Sequence, residues 1–242
     1  MAFLSTIYMK IVNNWLNIIQ GTLLPPTCIL CGNSGFNSKD ICETCYRRLP
    51  KNNLCCYRCA EMFTSPIALP ALCGRCLSET PAFDETYAPF IHQDEIRHLI
   101  TGLKFGEQFK NARLLGGLLA GHVDKAAEKP GCIIPVPLHK ARYHDRGFNQ
   151  ALEIARTVSK TLEIPVNYTS CIRHKDTPHQ TGLSAKKRRQ NLRRAFSVQN
   201  PMHGHVAILD DVMTTGSTVN ALAVELKKAG VSRVDVWVCA RA

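Results

Sequence analysis

Four pairs of cysteines with the spacing Cys-x-x-Cys follow one another near the start of this 242-residue chain. They are Cys28/Cys31, Cys42/Cys45, Cys56/Cys59 and Cys73/Cys76. Two such pairs supply the four thiolates of a tetrahedral structural zinc site. Spacers of 10 and 13 residues separate the first pair from the second and the third from the fourth, which favours two zinc ribbons paired in that order. Cross-braced pairing and redox chemistry are the alternatives, although one pair would suffice for redox chemistry.

The remaining cysteines lack this spacing. Cys55 is either a spare thiol or a substitute for Cys56. Cys132, Cys171 and Cys239 are isolated, and we expect them to be buried like small hydrophobic residues. Because four thiolates fill the coordination sphere of each zinc, the predicted metal role is structural rather than catalytic.

Two adjacent acids follow a strongly apolar run near the C-terminus. Val206–Leu209 predicts a buried central strand, and Asp210 and Asp211 come directly after it. Paired carboxyls at the end of a buried strand are costly unless they meet a cation or a polar ligand. Ligands of open α/β sheets bind at this end of the strands. We therefore expect the two acids to face ribose hydroxyls, directly or through Mg²⁺.

The turn after the acids predicts an anion site. Its residues are Thr214, Thr215, Gly216, Ser217 and Thr218. They offer hydroxyl and backbone N–H groups at the start of a predicted helix, where the helix dipole also attracts a phosphate. The glycine lets the backbone approach such a ligand closely. A polar strand-to-helix turn without a ligand is the alternative.

Positive charge is concentrated in the middle of the chain. Between His139 and Arg194, 13 lysines and arginines face four acids, which accounts for +9 of the net charge of +11. The residues proposed to contact nucleic acid are Lys140, Arg142, Arg146, Lys186, Lys187, Arg188 and Arg189. Such a concentration predicts salt-dependent binding to the phosphate backbone of a nucleic acid. For the run 186–194 a solvated helix face is the alternative, and Tyr143 and Phe148 are either base-stacking rings or core residues.

The order of predicted elements is that of an α/β protein with a mainly parallel sheet. Strands are predicted at about 87–91, 133–136, 166–171, 205–209 and 234–239. Helices are predicted at 94–105, 108–127, 149–162 and 217–229. An amphipathic helix at 4–20 precedes them, and either packs on the protein or attaches to a membrane surface.

We divide the chain into three parts by composition and pattern. They are an N-terminal amphipathic helix (1–26), a double zinc-ribbon module (27–80) and a larger α/β domain (81–242). The sequence has no evident secretory signal and no apolar stretch of the roughly 20 residues that a membrane span needs. We therefore expect a reducing, cytoplasmic compartment, in which clustered cysteines bind metal.

Three runs of residues point to a known family. Val206–Thr218 resembles the 5-phosphoribosyl-1-pyrophosphate signature of type I phosphoribosyltransferases. With the upstream runs Arg146-Gly147-Phe148-Asn149-Gln150 and Gln180-Thr181-Gly182-Leu183-Ser184, and with the cysteine pairs, the chain resembles the ComF/ComFC competence family from Leu24 onward. Members of that family join a zinc-ribbon module to a phosphoribosyltransferase-like domain. The resemblance therefore implies a type I phosphoribosyltransferase-like α/β domain with a mainly parallel sheet, preceded by a small zinc-ribbon module of the four-cysteine type.

The resemblance also implies roles for the site residues. Asp210 and Asp211 would address the ribose hydroxyls, and Thr214–Thr218 would hold the 5-phosphate. The family acts in natural transformation, which implies single-stranded DNA and proteins of the DNA-uptake machinery as partners.

An active phosphoribosyltransferase is the alternative function. Such a glycosyltransferase would use phosphoribosyl pyrophosphate and Mg²⁺ with a nitrogen nucleophile. Lys140, Arg142 and Arg146 are then the catalytic candidates that stabilise the leaving pyrophosphate. Scaffolding through zinc alone is a third reading, but it leaves the phosphate turn without a role.

Overall fold

The computed structural model describes residues 25–175 and 194–242, except residues 69 and 107. The predicted amphipathic helix at 4–20, the run 180–184 and the basic run Lys186–Arg189 lie outside these described residues. Within the described part, none of the helices has both the length and the apolar character that crossing a bilayer requires.

The chain divides into two compact units, Met1–Leu49 and Pro50–Ala242. The boundary falls inside the cysteine-rich segment, between the second and third cysteine pairs. In the first unit, helix α1 spans Glu43–Arg48, and the Cys42 sulfur at its N-cap accepts a hydrogen bond from the Cys45 N–H. The first two cysteine pairs therefore belong to the first unit and the last two to the second.

The second unit carries the α/β elements. Its described helices are α2 (Gly74–Ser78), α3 (Asp94–Phe105), α4 (Phe109–Ala126), α5 (Lys140–Arg146), α6 (Gln150–Leu162) and α7 (Ser217–Lys228). Its described strands are β1 (Glu85–Tyr87), β2 (Phe90–Ile91), β3 (Cys132–Pro135), β4 (Cys171–Arg173), β5 (Phe196–Val198), β6 (Gly204–Met213) and β7 (Val231–Arg241).

The main sheet is parallel throughout the described residues. Its strand order is β1-β7-β6-β3, and β2 pairs with the far end of β7. A separate antiparallel pair is formed by β4 and β5. The predicted α/β class with a mainly parallel sheet is therefore confirmed.

Two sequence predictions about strands are corrected. The strand predicted at 205–209 continues to Met213, so Asp210 and Asp211 lie within it, because its neighbour β7 pairs with it as far as Arg241. The prediction of a strand at 166–171 is wrong. Val166 makes only an isolated bridge, and an Asn167 side chain that accepts from the Ser170 N–H turns the chain before β4 begins.

Local chemistry sets several helix ends. Helix α3 has the predicted bounds, and Gly106 follows its last residue. Helix α6 begins where the Asn149 side chain accepts hydrogen bonds from the N–H groups of Ala151 and Leu152. The segment between β3 and α6, for which no helix or strand was predicted, holds the short helix α5, and Gly147 ends it at a φ of 78°.

Helices pack on the main sheet. Helices α4 and α6 pack against each other and against strands of the sheet, and α7 packs against β6 and β7. Cys56, Cys59 and Cys76 belong to the same buried cluster as Val219 and Leu222 of α7. The last two cysteine pairs are therefore built into the hydrophobic core of the second unit.

Candidate functional site

The eight paired cysteines converge into two clusters. The first holds Cys28, Cys31, Cys42 and Cys45, the second holds Cys56, Cys59, Cys73 and Cys76, and within each the Sγ atoms lie within 4.8 Å of one another. Zn–S bonds of about 2.3 Å give a tetrahedron with edges of about 3.8 Å. The Cys31–Cys42 and Cys59–Cys73 Sγ distances are both 3.6 Å. The sequential pairing is therefore confirmed, cross-bracing is wrong, and both clusters fit structural zinc.

The other cysteines lie outside these clusters. Cys55 is the spare thiol, with its sulfur 3.7 Å from the Asn52 carbonyl oxygen. Cys171 and Cys239 are buried, as predicted, whereas Cys132 is only half-buried.

Arg241 ties the second cluster to the strand that carries the acids. Its side chain donates hydrogen bonds to the carbonyl oxygens of Cys59 and Met213, each at 3.1 Å. It also forms an ion pair with Glu61. Since Arg241 is buried, these contacts are shielded from water, and one guanidinium holds the second ribbon and the end of β6 together.

The phosphate turn, residues 214–218, joins β6 to α7. Gly216 occupies the N-cap with a φ of 77°, a conformation that favours glycine, and it offers α7 no capping side chain. The Ser217 N–H makes a long contact of 3.4 Å to the Thr215 hydroxyl, and the hydroxyl oxygens of these two residues lie 2.9 Å apart. The first N–H groups of a helix have no partner within it, so here they face the turn. The arrangement suits an oxyanion that accepts several hydrogen bonds.

Asp210 and Asp211 form a coupled acid pair just before the turn. The Asp211 N–H donates to Asp210 Oδ1 at 2.9 Å, and Asp211 Oδ2 lies 2.5 Å from Lys104 Nζ. Burial and the neighbouring Asp211 charge raise the pKa of Asp210 to about 8. The pair is therefore short of positive charge, and Lys104 is the cation that contacts it.

Further basic groups surround this pair. Burial lowers the pKa of Arg146, and the Asp211 charge opposes that shift because the two groups are close. Burial and the positive charges of Lys104 and Arg97 lower the pKa of His92. The acid pair thus lies among cationic or protonatable side chains from α3, α5 and the end of β2.

Replacing Lys104 with alanine should lower the free energy of unfolding by about 3–5 kcal/mol. The substitution leaves the Asp211 carboxylate, which is 4% exposed, without its cation. Urea unfolding at pH 8 measures the loss. The control is Lys228→Ala, which removes an exposed pair with Glu225 and should change stability by less than about 1 kcal/mol. Similar small losses for both variants would contradict a structural role for the Lys104 pair.

The run Arg146–Gln150 divides into structural and site residues. Gly147 ends α5, Phe148 is buried against Phe109 at a ring-centroid distance of 4.8 Å, and Asn149 caps α6. Asn149 also donates to the Val136 carbonyl oxygen at 3.0 Å, which fixes α6 to the end of β3. Gln150 accepts a hydrogen bond from Arg146 at 2.6 Å. Arg146 is therefore the member of this run whose charge interacts with that of Asp211.

The other predicted cations are placed differently. Lys140 is exposed and Arg142 half-buried on α5, and Tyr143 on the same helix is 52% exposed. The burial of Phe148 favours packing over base stacking for that ring. The structure thus brings Arg146 to the acids, keeps Lys140 and Arg142 on the adjoining surface, and leaves Lys186–Arg189 outside the described residues.

A cavity of about 240 Å³ lies between the second ribbon and the phosphate turn. The ribbon lines it with Cys59, Arg75 and Cys76. The turn lines it with Thr215, Gly216 and Ser217. The phosphate turn therefore shares this cavity with a positively charged ribbon residue, Arg75.

Sequence reasoning missed three residues of this region: Lys104, Arg241 and Arg75. Arg241 and Glu61, for example, are 180 positions apart in the chain. Lys104 lies in the last turn of a helix whose bounds were predicted correctly. That position was the one local indication that its side chain lies near the end of a strand. Nothing in the sequence pattern joined these cations to their partners.

Fold and site together define a phosphoribosyltransferase-like α/β domain joined to a double zinc ribbon. A family model described as a double zinc ribbon domain matches residues 19–77. Competence protein F of Haemophilus influenzae is 36% identical over 225 residues, covering 89% of this chain and 96% of that protein. DNA utilization protein YhgH of Escherichia coli O157:H7 is 34% identical over 225 residues, covering 90% of this chain and 98% of that protein. The chain therefore belongs to the ComF family, as the sequence resemblance predicted.

Solved structures also match part of the chain. Glutamine phosphoribosylpyrophosphate amidotransferase from B. subtilis is 21% identical with a TM-score of 0.36, covering 52% of this chain and 25% of that chain. Purine phosphoribosyltransferase from Pyrococcus horikoshii is 23% identical with a TM-score of 0.33, covering 53% of this chain and 71% of that chain. The predicted fold class, a type I phosphoribosyltransferase-like domain with a mainly parallel sheet behind a four-cysteine zinc-ribbon module, is confirmed by the sheet, the cysteine clusters and the family.

Proposed function

We propose that this protein handles single-stranded DNA during DNA uptake and binds a sugar phosphate of the 5-phosphoribosyl-1-pyrophosphate class. One observation supports the proposed ligand. The coupled pair Asp210–Asp211 and the uncapped, hydroxyl-rich turn 214–218 adjoin each other at the end of one central strand. A phosphorylated pentose presents hydroxyls and a phosphate on one molecule, so it could meet both groups.

The ligand would lie along the end of β6. Its 5-phosphate accepts hydrogen bonds from the turn 214–218, and its ribose hydroxyls donate to Asp210 and Asp211. The pyrophosphate extends toward Lys104 and Arg146, with Lys140 and Arg142 on the nearby surface. Lys104, which pairs with Asp211 at 2.5 Å, is placed to exchange that carboxylate for a pyrophosphate oxygen.

Asp210 and Asp211 also fit Mg²⁺, which prefers carboxylate oxygens together with substrate phosphates. The pKa of Asp210, raised by burial and by the Asp211 charge, marks a site that lacks positive charge for two carboxylates. When bound, Mg²⁺ would neutralise part of the pyrophosphate charge.

The proposed DNA role rests on family and charge. The relatives are named for competence and for DNA utilization, and both span nearly the whole of this chain. Thirteen of the chain's 30 lysines and arginines fall within 139–194, a distribution that favours contact with a polyanion. Proteins of the DNA-uptake machinery are the partners that this role would require.

The sugar-phosphate site is tested by ligand-dependent melting. Phosphoribosyl pyrophosphate with Mg²⁺, at about 100 times its dissociation constant, should stabilise the protein by about 2.7 kcal/mol. For a chain of this length that raises the melting temperature by roughly 5–10 °C. Glucose 6-phosphate with Mg²⁺ is the ligand control, because it carries a phosphate on a different sugar. No rise with phosphoribosyl pyrophosphate would reject the proposed site.

Neutralising the basic run should flatten the salt dependence of DNA binding. The variant is Lys186→Gln/Lys187→Gln/Arg188→Gln/Arg189→Gln. The slope of log K against log salt is negative, and the loss of four charges at about 0.7 each should make it less negative by about 3. Fluorescence anisotropy with labelled single-stranded DNA, over a range of roughly 50 to 300 mM salt, measures it.

The matched control removes the same number of charges elsewhere, at the exposed residues Lys110, Arg113, Lys125 and Lys129. Its slope should stay at the value of the unmutated protein. If both variants lose slope equally, general charge rather than the run 186–189 determines the binding.

A further inference from the structure

We propose that the second zinc ribbon is part of the ligand site, and that Arg75 holds the phosphate of the sugar phosphate from the side opposite the turn. This inference rests on the proposed function, and it adds a residue and a module that the phosphoribosyltransferase-like domain alone does not supply. The cavity of about 240 Å³ is where the two modules meet within the second unit.

Apart from the acid Glu79, which also lines it, the cavity has the chemistry of an oxyanion site. On one side lie Thr215, Gly216 and Ser217, with the start of α7. On the other lies the guanidinium of Arg75, whose pair with Glu61 is long at 3.4 Å and 47% exposed. A pair of that length and exposure contributes little free energy, so the Arg75 guanidinium can exchange Glu61 for a phosphate oxygen at little cost. Arginine binds phosphate oxygens through two N–H groups at once.

The position of Arg75 is fixed by the metal site. It lies between Cys73 and Cys76, and its Nη2 is 3.8 Å from the Cys59 sulfur. Arg241 in turn holds the Cys59 carbonyl oxygen and the Met213 carbonyl oxygen, just ahead of the turn. The distance from Arg75 to the phosphate turn is therefore set by folding of the ribbon around its metal. The ribbon acts as one wall of the ligand site.

The acid pair does not line this cavity. Asp210 and Asp211 are absent from its described lining, whereas Thr215–Ser217 belong to it. A ligand bound by both must place its phosphate in the cavity and its ribose beyond the turn. Asn220 of α7 lines the cavity as well, and its side-chain oxygen accepts from the Ala82 N–H at 2.7 Å.

The test compares variants of the full chain by calorimetric titration with phosphoribosyl pyrophosphate and Mg²⁺, and separately with inorganic phosphate. Arg75→Ala should weaken binding of the sugar phosphate at least about tenfold, because a charge-assisted hydrogen bond is lost. Arg75→Lys should recover part of the affinity. The control Arg47→Ala removes an exposed arginine of the first unit, paired with Glu43, and should leave affinity unchanged.

Asn220→Asp is a second variant, which tests the cavity even if Arg75→Ala misfolds the ribbon. It keeps the oxygen that accepts from Ala82 and adds a negative charge to the cavity without touching a cysteine cluster. We expect about a tenfold loss of affinity at unchanged zinc content, because the added charge repels the phosphate. If Arg75→Ala loses zinc, the affinity of Asn220→Asp tests whether the phosphate occupies the cavity.

The outcomes separate the two proposals. If the unmutated protein binds phosphoribosyl pyrophosphate, and Arg75→Ala and Asn220→Asp bind it equally well, the inference is overturned while the proposed function stands. If phosphoribosyl pyrophosphate does not bind at all, the proposed function fails. In that case Arg75-dependent binding of inorganic phosphate supports the cavity as an anion site, and absence of phosphate binding overturns it.

Discussion

Replacing both Asp210 and Asp211 with asparagine should abolish the rise in melting temperature that phosphoribosyl pyrophosphate and Mg²⁺ cause. Asparagine keeps the shape of each side chain but removes the charge that attracts the cation, and its N–H groups face the ribose as donors. The expected loss is therefore the whole ligand-induced stabilisation, about 2.7 kcal/mol at about 100 times the dissociation constant of the unmutated protein. Scanning calorimetry with and without ligand measures it.

The exposed Asp124 on α4 supplies the control, since Asp124→Asn removes a carboxylate of the same kind away from β6. This variant should keep the full ligand-induced rise. A normal rise in the double variant would show that the ligand, if it binds, does not use the acid pair.

Measured without added ligand, the single variants should have different effects on stability, which distinguishes the roles of the two acids. The folded pKa of Asp210, about 8, lies above its ordinary value of 3.8, so the folded state binds its proton more tightly than the unfolded state does. Stability is therefore lost as pH rises from about 4 through 8. Asp210→Asn removes this loss, and its advantage in melting temperature over the unmutated protein should grow between about pH 5 and pH 8. Asp211→Asn instead leaves Lys104 without its partner and should destabilise the protein.

Removing a ligand of the second zinc cluster should destabilise the whole second unit. Cys56, Cys59 and Cys76 share a buried cluster with α7, and Arg241 joins the ribbon to β6. We expect Cys73→Ser to lower the free energy of unfolding of this unit by several kcal/mol. That is a fraction of the roughly 10–16 kcal/mol that zinc binding contributes in zinc-finger peptides. With the other tryptophan, Trp15, replaced by phenylalanine, the fluorescence of Trp237, a buried residue of β7, reports unfolding of the sheet.

Cys45→Ser is the matched control, because Cys45 is half-buried like Cys73 but belongs to the first cluster and the first unit. It should lower the zinc content while leaving the Trp237 transition in place. Coincident transitions for the two variants would show that the second ribbon does not support the α/β sheet.

Much of the fold was predictable because it depends on local patterns. The bounds of α3 follow from its apolar spacing and from Gly106, and the start of α6 follows from Asn149 as a cap. Strand ends were less predictable, because a strand extends as far as its neighbour pairs with it. The long partner β7 is what carries β6 past Asp210 to Met213.

The sequence by itself determined the two zinc clusters and the phosphate turn, because each is formed by residues close together in the chain whose spacing matches a known geometry. It also determined the family, through three short runs in a fixed order. Only the tertiary structure brought Lys104 to Asp211 and made Arg241 the link between ribbon and strand. Only it brought Arg75 and the turn to one cavity. Those contacts join residues from distant parts of the chain, and burial and strand pairing decide them.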